Sequence, residues 1–531
     1  MMRRRHFIAG AALPLMGCEP TAEIAGGFVD GSLERGHLLR RPAPSTSPSA
    51  VHRTHTIIVG AGVAGLAAAR ALRLQGRDDF CVLELEDQAG GNSRSSSVNG
   101  IACPLGAHYL PVPGDNAHEL LGFLEELKLR QRVHGRWTYD ERHLCHSPQE
   151  RLFFNGAWQD GLLPLNGVGP DTLVQYQRFA KLVSESNRLA KWPLPSRRTA
   201  PQPQLEPLKQ TTFAAYLNGA GLTDPNLLWY LNYCCFDDYG AGIDTVSAWA
   251  GIHYFASRHG FTAPRTDGQQ ASDGEERENI LTWPEGNGWL TRHLALPLQE
   301  RLHTSWVVTR IANGRNGVSV DAHHVASGRT ERWQALQCIV ALPVFVAARV
   351  IENPPDFLRQ AAAQIRYAPW LVANLHLKAS LQDQPGAAPS WDNVIHDQPS
   401  SVNGASLGYV DAQHQNLHSV PGQTVLTHYR ALGDVAQGRQ YLLSSSWAHW
   451  RDIVLADLTR AHPDIVSKTT RIDVTRYGHA MAIPAPQTLA STLARASGVL
   501  SQGSLRFAHS DWAGYSVFEE AFTLGHEAAQ I

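Results

Sequence analysis

The sequence predicts an α/β fold, a Rossmann-like dinucleotide-binding unit joined to a mixed-sheet α+β region, and three observations carry that prediction. The first is the stretch "TIIVGAGVAGLAAARALRLQG", a β-branched run, a glycine turn and a row of good helix formers. The second is "FCVLELE", a strand-like segment with an acid, Glu84, about 20 residues beyond the glycines. The third is size: 531 residues with 43% apolar content allow two to four domains of about 100–200 residues each.

In chain order, the opening "MMRRRHFIAGAALPLMGC" has basic residues Arg3 to Arg5 followed by an apolar run, Phe7 to Gly17, too short to span a bilayer. Arg4-Arg5-His6-Phe7-Ile8 resembles a twin-arginine signal, whose machinery moves proteins already folded around a cofactor. A nucleotide turn behind an export signal is therefore no contradiction, and the expected compartment is the periplasm. Leu15-Met16-Gly17-Cys18 resembles a lipobox, so an acyl chain on Cys18 is the one membrane contact expected. Residues 19–53, with "RRPAPSTSPSA", lack periodicity and read as a tether.

Within the glycine stretch, Gly60, Gly62 and Gly65 match G-x-G-x-x-G in strand–turn–helix context. The first allows the turn, the second lets a pyrophosphate approach the backbone, and the third lets helix and strand pack. Ala64 belongs to the same phosphate-binding turn, where the free N–H groups of the helix start attract anions. Glu84 is placed to accept hydrogen bonds from ribose hydroxyls.

Segments further along the chain separate flavin from nicotinamide. "LELEDQAGGNSRSSS" and "ACPLGAHYL" resemble the flavin-containing amine oxidase family, as do "WPEGNGWLTRHLALPL", "HTSWVVTRIANGRNGVSVDA", "CIVALPVFVAARVI" and "RFAHSDWAGYSVFEEAFTLGHEAAQI". The resemblance implies FAD, with Gly90-Gly91 at its phosphates, Gly106-Ala107-His108 as the next flavin-side turn and Val308 beside the adenine. It further implies a terminal helix, from Phe518 and Glu519, whose start faces the isoalloxazine. Asn92 stands where the family carries arginine, so Arg94 is expected to take over the phosphate contact. His509 replaces a usual glycine, Glu520 replaces the glycine that opens the family's helix, and Asp511, with Ser510 competing for the column, is the acid expected near the ribityl chain or pyrophosphate. No cysteine lies in this last motif, so the FAD is expected to be non-covalent.

The resemblance divides the chain into a discontinuous FAD-binding domain, 54–130, 281–350 and 486–531, and a substrate domain, 131–280 and 351–485. Aligning "RYAPWLVANLHL" puts Asn374 where many members carry a lysine that holds a water near flavin N5. Tyr515 resembles one wall of the aromatic cage that steers an amine by its ring face; an exposed loop tyrosine is the alternative. His479 in "YGHAM" is either a polar group beside the flavin or a satisfied core histidine. Lining is expected from "NYCCFDDYGAG", "PSWDNVIHD", "LTHYRAL", "SSSWAHW" and "RYGHAMAIPAP". Asp237, Asp238 and Tyr239 are either cation-recognition groups or, the favoured reading, a cap for the helix "TVSAWAGIHYFA".

Lys and Arg total 46 against 48 Asp and Glu, which gives no basic field for nucleic acid. Among the seven cysteines none forms CxxC; Cys81 and Cys338 read as buried thiols, and some of the others have the opportunity to pair. His143 and His146 flank Cys145 without a second ligand cluster, so no metal is expected. The leading expectation is an exported FAD enzyme that oxidises a small-molecule amine by hydride transfer to flavin N5 and passes electrons to oxygen, a quinone or a protein. The alternatives are a non-catalytic flavin-binding scaffold and a polyene desaturase-like flavoenzyme.

Overall fold

The computed structural model describes residues 23–29, 32–40, 47–198, 202–258, 260–264, 279–398, 400–415, 422–486, 488–489 and 500–530. The export signal and Cys18 lie outside them. The nucleotide sheet runs Leu302–His303, Phe80–Leu83, Val51–Val59, Thr330–Val340, Gly317–His324, Trp306–Gly314, with Leu505–Phe507 also pairing Thr330–Val340. Its centre is parallel: Ile58 sits opposite Val82 on one side and Ile339 on the other. Both faces are covered, which is why these strands read as unbroken apolar runs.

On one face, the glycine-turn helix Val63–Leu74 packs against the terminal helix Phe518–Ala528. The contact is tight because small residues meet. A Cβ at Gly525 would lie 1.9 Å from the carbonyl oxygen of Ala64.

The second sheet has eight strands in the order Ala25–Phe28, Thr469–Ala482, Tyr367–Leu377, Thr424–Ala431, Ala405–Asp411, Asp392–Ile395, Glu150–Phe154, Ala157–Asp160. Alternate side chains serve two cores. Trp370, Val372 and Tyr429 face the helices Pro170–Leu189, Pro225–Tyr239 and Ala248–Ala256, while Leu371, Ala373 and Leu375 face Trp447–Thr459. This sheet reaches the segment Pro104–Gly106 through hydrogen bonds from Asn374 and Tyr429.

The expected tether is in part ordered structure. Ala25–Phe28 adds a parallel edge strand to Thr469–Ala482, and Arg476 lies over the Phe28 ring at 3.5 Å. Arg35, in the helix Ser32–Leu38, pairs with Asp87 at 2.8 Å and donates to the carbonyl of Leu85. "AGGF" carries no β-branched residue, so only tertiary pairing marks it as a strand.

The expected cap at Asp237–Tyr239 is also corrected. Ser247 caps Ala248–Ala256 by accepting from the amide of Ala250, whereas Asp237–Tyr239 form the last turn of the preceding helix. The six described cysteines are free thiols, Cys81 and Cys338 among the buried ones. Among the described residues no helix is long and apolar enough to cross a membrane, and no group of His, Cys, Asp and Glu has a metal-holding arrangement.

Gly26 adopts φ +134°, and a Cβ there would lie 1.9 Å from Ile472 O, whereas nothing lies within 4 Å of a Cβ on Gly27. Gly26→Val should therefore detach the edge strand and lower the thermal midpoint by several degrees. Gly27→Val, measured alongside by scanning fluorimetry, should leave it close to the parent value.

Candidate active site

Three backbone segments converge at the C-terminal ends of the parallel strands. The amide of Gly90 donates to Ala61 O at 2.8 Å, and Gly62 and Gly90 form a parallel bridge. A Cβ on Gly91 would stand 3.2 Å from the Cα of Gly62, and one on Gly65 would strike Gly60 O at 1.8 Å. Side chains are thereby excluded from a cradle whose Gly60, Gly62 and Gly91 remain partly exposed. The cradle's bare backbone and the helix start beside it suit a pyrophosphate.

Glu84 closes one end of the cradle. Its carboxylate accepts from the Ala61 amide at 2.7 Å and the Glu86 amide at 2.9 Å. Burial pushes this carboxyl up, against the pull of both donors. Trp306 donates its amide to Glu84 O at 2.8 Å, which brings the strand of Val308 alongside, although the Val308 side chain itself is buried in the sheet core.

The Arg94 guanidinium reaches Glu86 at 3.2 Å while its Nε donates to Gly91 O, so the arginine stands at the cradle rim already held by a carboxylate. Asn92 turns away from the cradle and donates to Ala480 O at 2.7 Å.

The turn Gly106-Ala107-His108 is fixed to both sheets. The Ala107 amide donates to Asn92 O, the Tyr429 hydroxyl to Gly106 O at 2.9 Å, and Asn374 Nδ2 to Pro104 O at 3.0 Å. Asn374 also accepts from the Thr427 hydroxyl at 2.7 Å and is 1% exposed. Both ends of its amide are therefore engaged by protein: the position expected to be catalytic is a staple between substrate sheet and flavin-side turn.

Past this turn lies an aromatic cluster with acids beside it. The His108 ring stacks on Tyr429 at 4.4 Å and lies 5.5 Å from Trp391, which meets the Tyr109 edge at 5.8 Å. The Tyr109 hydroxyl donates to Asp237 at 3.1 Å. Burial, then the neighbouring charges of Asp237 and Glu150, raise the Asp392 carboxyl well above the carboxylate range. Burial drives His108 down to about 3, so the cluster carries no imidazolium at neutral pH.

Other expected site residues lie elsewhere. Tyr515 is 1% exposed, which removes the loop alternative; its hydroxyl donates to Glu520 and its ring meets Tyr239, Trp249 and His253. His479 stacks on Phe345 at 4.3 Å, meets Tyr367 edge-on and takes a hydrogen bond from Arg439 on Nε2. Burial, then the cations Arg439 and Arg40, lower it to about 4. None of its ring contacts is shared with Tyr515.

Asp511 accepts from the Val344 amide at 2.9 Å and the Tyr367 hydroxyl at 2.6 Å. Burial opposes its charge, but His509, Tyr367 and Val344 hold the carboxyl below its usual range. Phe518 packs into the core of the nucleotide domain beside Phe522, and the charged groups around Glu519 are Arg258, Asp238 and Glu520.

Thr427 and Tyr109 lie in stretches the sequence singled out, "LTHYRAL" and "ACPLGAHYL", but neither was given a role of its own. The two-residue alternation that puts Thr427 and Tyr429 on one face, opposite Asn374 in register, is the signal that would have found the first.

The profile of the family described as flavin containing amine oxidoreductase matches residues 63–531. Polyamine oxidase 4 of Oryza sativa subsp. japonica is 24% identical over 457 residues, covering 84% of this chain and 80% of that protein. A redesigned double mutant of putrescine oxidase superposes with TM-score 0.65 at 16% identity, over 90% of this chain and 98% of that one. Cyclohexylamine oxidase from Brevibacterium oxydans IH-35A gives TM-score 0.62 at 17% identity over the same shares, 90% and 98%.

Glu84→Ala removes the acceptor of two buried amides along with the acid that the sequence pattern puts at the ribose. At about 1.5–3 kcal/mol for each hydrogen bond to a charged group, FAD occupancy after gel filtration should fall severalfold or more. The flavin-to-protein absorbance ratio of the purified variant checks this.

Proposed function

Because the chain belongs to the flavin containing amine oxidoreductase family and is an FAD-dependent oxidoreductase, we propose that it oxidises an amine at the carbon beside nitrogen. FAD, when bound, supplies the hydride acceptor, and the protein supplies orientation and a water-poor chamber. The observation that carries the reading is the aromatic box, an uncharged His108 with Tyr109, Trp391 and Tyr429, beside the carboxyl groups of Asp237 and Asp392.

An ammonium entering such a box gains ring-face attraction and favours the ionised form of the neighbouring acids. Asp392 then releases its proton to solvent and becomes the counter-ion of the cation. Sequence relatives named for polyamine and putrescine oxidation support an aliphatic amine. The FAD is held without a covalent bond, since the terminal motif offers no cysteine.

Asn374 presents a fully engaged amide where a lysine would offer an ammonium beside the flavin, which favours electron transfer to a quinone or protein over oxygen. The protein acts after export in the folded state; Arg4-Arg5 and the short apolar run support a twin-arginine route, and Cys18 supports a lipid anchor.

Asp392→Asn should raise KM for amines on the order of 10- to 100-fold, the equivalent of about 1.5–3 kcal/mol for one charge-assisted contact, with a smaller change in kcat. Turnover of the parent should rise with pH, because the bound ammonium must shed its proton before hydride leaves the carbon beside it. In rapid mixing, amine-reduced enzyme should be reoxidised slowly by oxygen and rapidly by a soluble quinone. Fast reoxidation by air would remove the role given to Asn374.

Export is tested separately. Replacing Arg4 and Arg5 by lysine should leave flavin-loaded protein in the cytoplasm, and Cys18→Ala should release it from the membrane fraction; fractionation like the parent's would reject each in turn.

A further inference from the structure

Ahead of the glycine-turn strand, residues 24–29 and 32–40 touch both halves of the fold. Ile24 packs against the outer core of the substrate sheet, and Ala25–Phe28 pairs in parallel with Arg471–Val474. The Val29 amide extends that ladder to Val474 O at 2.9 Å. The helix Ser32–Leu38 belongs to the other half. Leu39, just past its end, packs against the core under the nucleotide sheet, and Arg349 Nε donates to Leu39 O.

Arg35 makes the contact nearest the cofactor cradle. One of its terminal nitrogens donates to Leu85 O at 3.0 Å, and the other reaches both oxygens of Asp87, at 2.8 and 2.9 Å. Leu85 directly follows Glu84, and Glu86 is the carboxylate that holds Arg94 at the cradle rim. From its other side the same turn is held by the strand that begins at Trp306. The amides of Ser305 and Trp306 donate to Glu86 O and Glu84 O, each at 2.8 Å, and the Ser305 hydroxyl donates to Asp87.

The far end of the segment meets a second acid-bearing element. Arg349 lies in the helix Val344–Val350, whose first amide donates to Asp511 at 2.9 Å. The segment therefore rests on the turn of Glu84 and on the helix that Asp511 holds.

None of these contacts is strong alone. The Asp87 side chain is 71% exposed, so its ion pair with Arg35 contributes little by itself. A four-residue edge strand and a seven-residue helix do not persist without a surface to fold against. Docking of the segment is thus set by how well its landing points are fixed, and one of them is the turn that carries the ribose acid.

We propose that the strand Ala25–Phe28 and the helix Ser32–Leu38 form a strap whose docking is linked to cofactor binding. The turn Glu84–Asp87, fixed when FAD is bound, favours the docked strap; the docked strap in return raises the affinity for FAD and slows its loss. Linkage makes the two effects reciprocal. Arg35 is a positioning residue, acting through Leu85 and Asp87 on Glu84. The strap concerns the cofactor and not the substrate, so it stands whether or not the flavin oxidises an amine.

Two measurements on the FAD-loaded protein test this, and neither uses an amine. The first is the rate of FAD release after dilution, read from the rise of free-flavin fluorescence. Arg35→Gln and Gly26→Val should each speed release about three- to tenfold, the order expected for one charge-assisted contact at a partly exposed site. Arg35→Lys should fall between parent and Arg35→Gln, since an ammonium lacks the fork that spans Leu85 O and Asp87. Asp87→Asn added to Arg35→Gln should bring no further increase of the same size, because both remove one interaction.

The second is amide hydrogen exchange of the strap with and without FAD. Ala25–Val29 should gain more protection on FAD loading than Ala157–Asp160, the strand at the opposite edge of the same sheet, and Arg35→Gln should remove that excess. Gly26→Val acts through the backbone of the edge strand, whereas Arg35→Gln leaves that pairing in place, so a loss of stability in the first does not blur the second. Release of FAD from Arg35→Gln at the parent rate would overturn the proposal. So would strap amides that exchange alike in the loaded and the cofactor-free protein.

Discussion

Two backbones meet at Gly62 and Gly91, where Gly91 has a positive φ and a Cβ on it would stand 3.2 Å from the Cα of Gly62, and the rest of the site takes its position from that contact. The glycine turn fixes Gly90 through Ala61 O, the next residues carry Asn92, and Asn92 carries the turn Gly106–His108 through its carbonyl. The substrate sheet then reaches down to this turn from Asn374 and Tyr429, and Asn92 reaches up to Ala480. A cofactor cradle in one sheet and a chamber under another are in this way held in register by short hydrogen bonds.

The chamber's electrostatics result from burial. Removing His108 from water keeps it neutral, and burial beside other carboxylates raises the Asp392 carboxyl well above the carboxylate range.

The nucleotide half of the fold was legible in the sequence because its signals are local: a β-branched strand, glycines at fixed spacing, an acid at the end of the next strand. Gly60, Gly62, Gly65 and Glu84 were read from those signals, and Gly90 and the Gly106 turn, which the resemblance supplied, stand with them at the cradle. Function-bearing positions assigned by alignment fared differently. Asn374 is a staple, His479 packs against Phe345 and Arg439, and Tyr515 points its hydroxyl at Glu520. Their roles are set by partners far away in sequence, such as Thr427 and Arg439, or by a buried acid on the terminal helix, Glu520, whose own role depends on Ser196. The edge strand Ala25–Phe28 was hidden for the same reason, since "AGGF" becomes a strand only beside Arg471–Val474. The lining stretches around Trp391 and Tyr429, by contrast, were recognisable from their dense mixture of aromatic and polar residues.

The box of His108, Tyr109, Trp391 and Tyr429, with Asp237 and Asp392, is the place where an amine would be presented to the flavin. The absorption spectrum of the purified protein, recorded without air before and after adding aliphatic polyamines and aromatic amines in turn, tests that role most directly. The visible flavin band should bleach with at least one aliphatic amine. A band that stays unchanged through the whole panel, in protein that dithionite reduces normally, would contradict it.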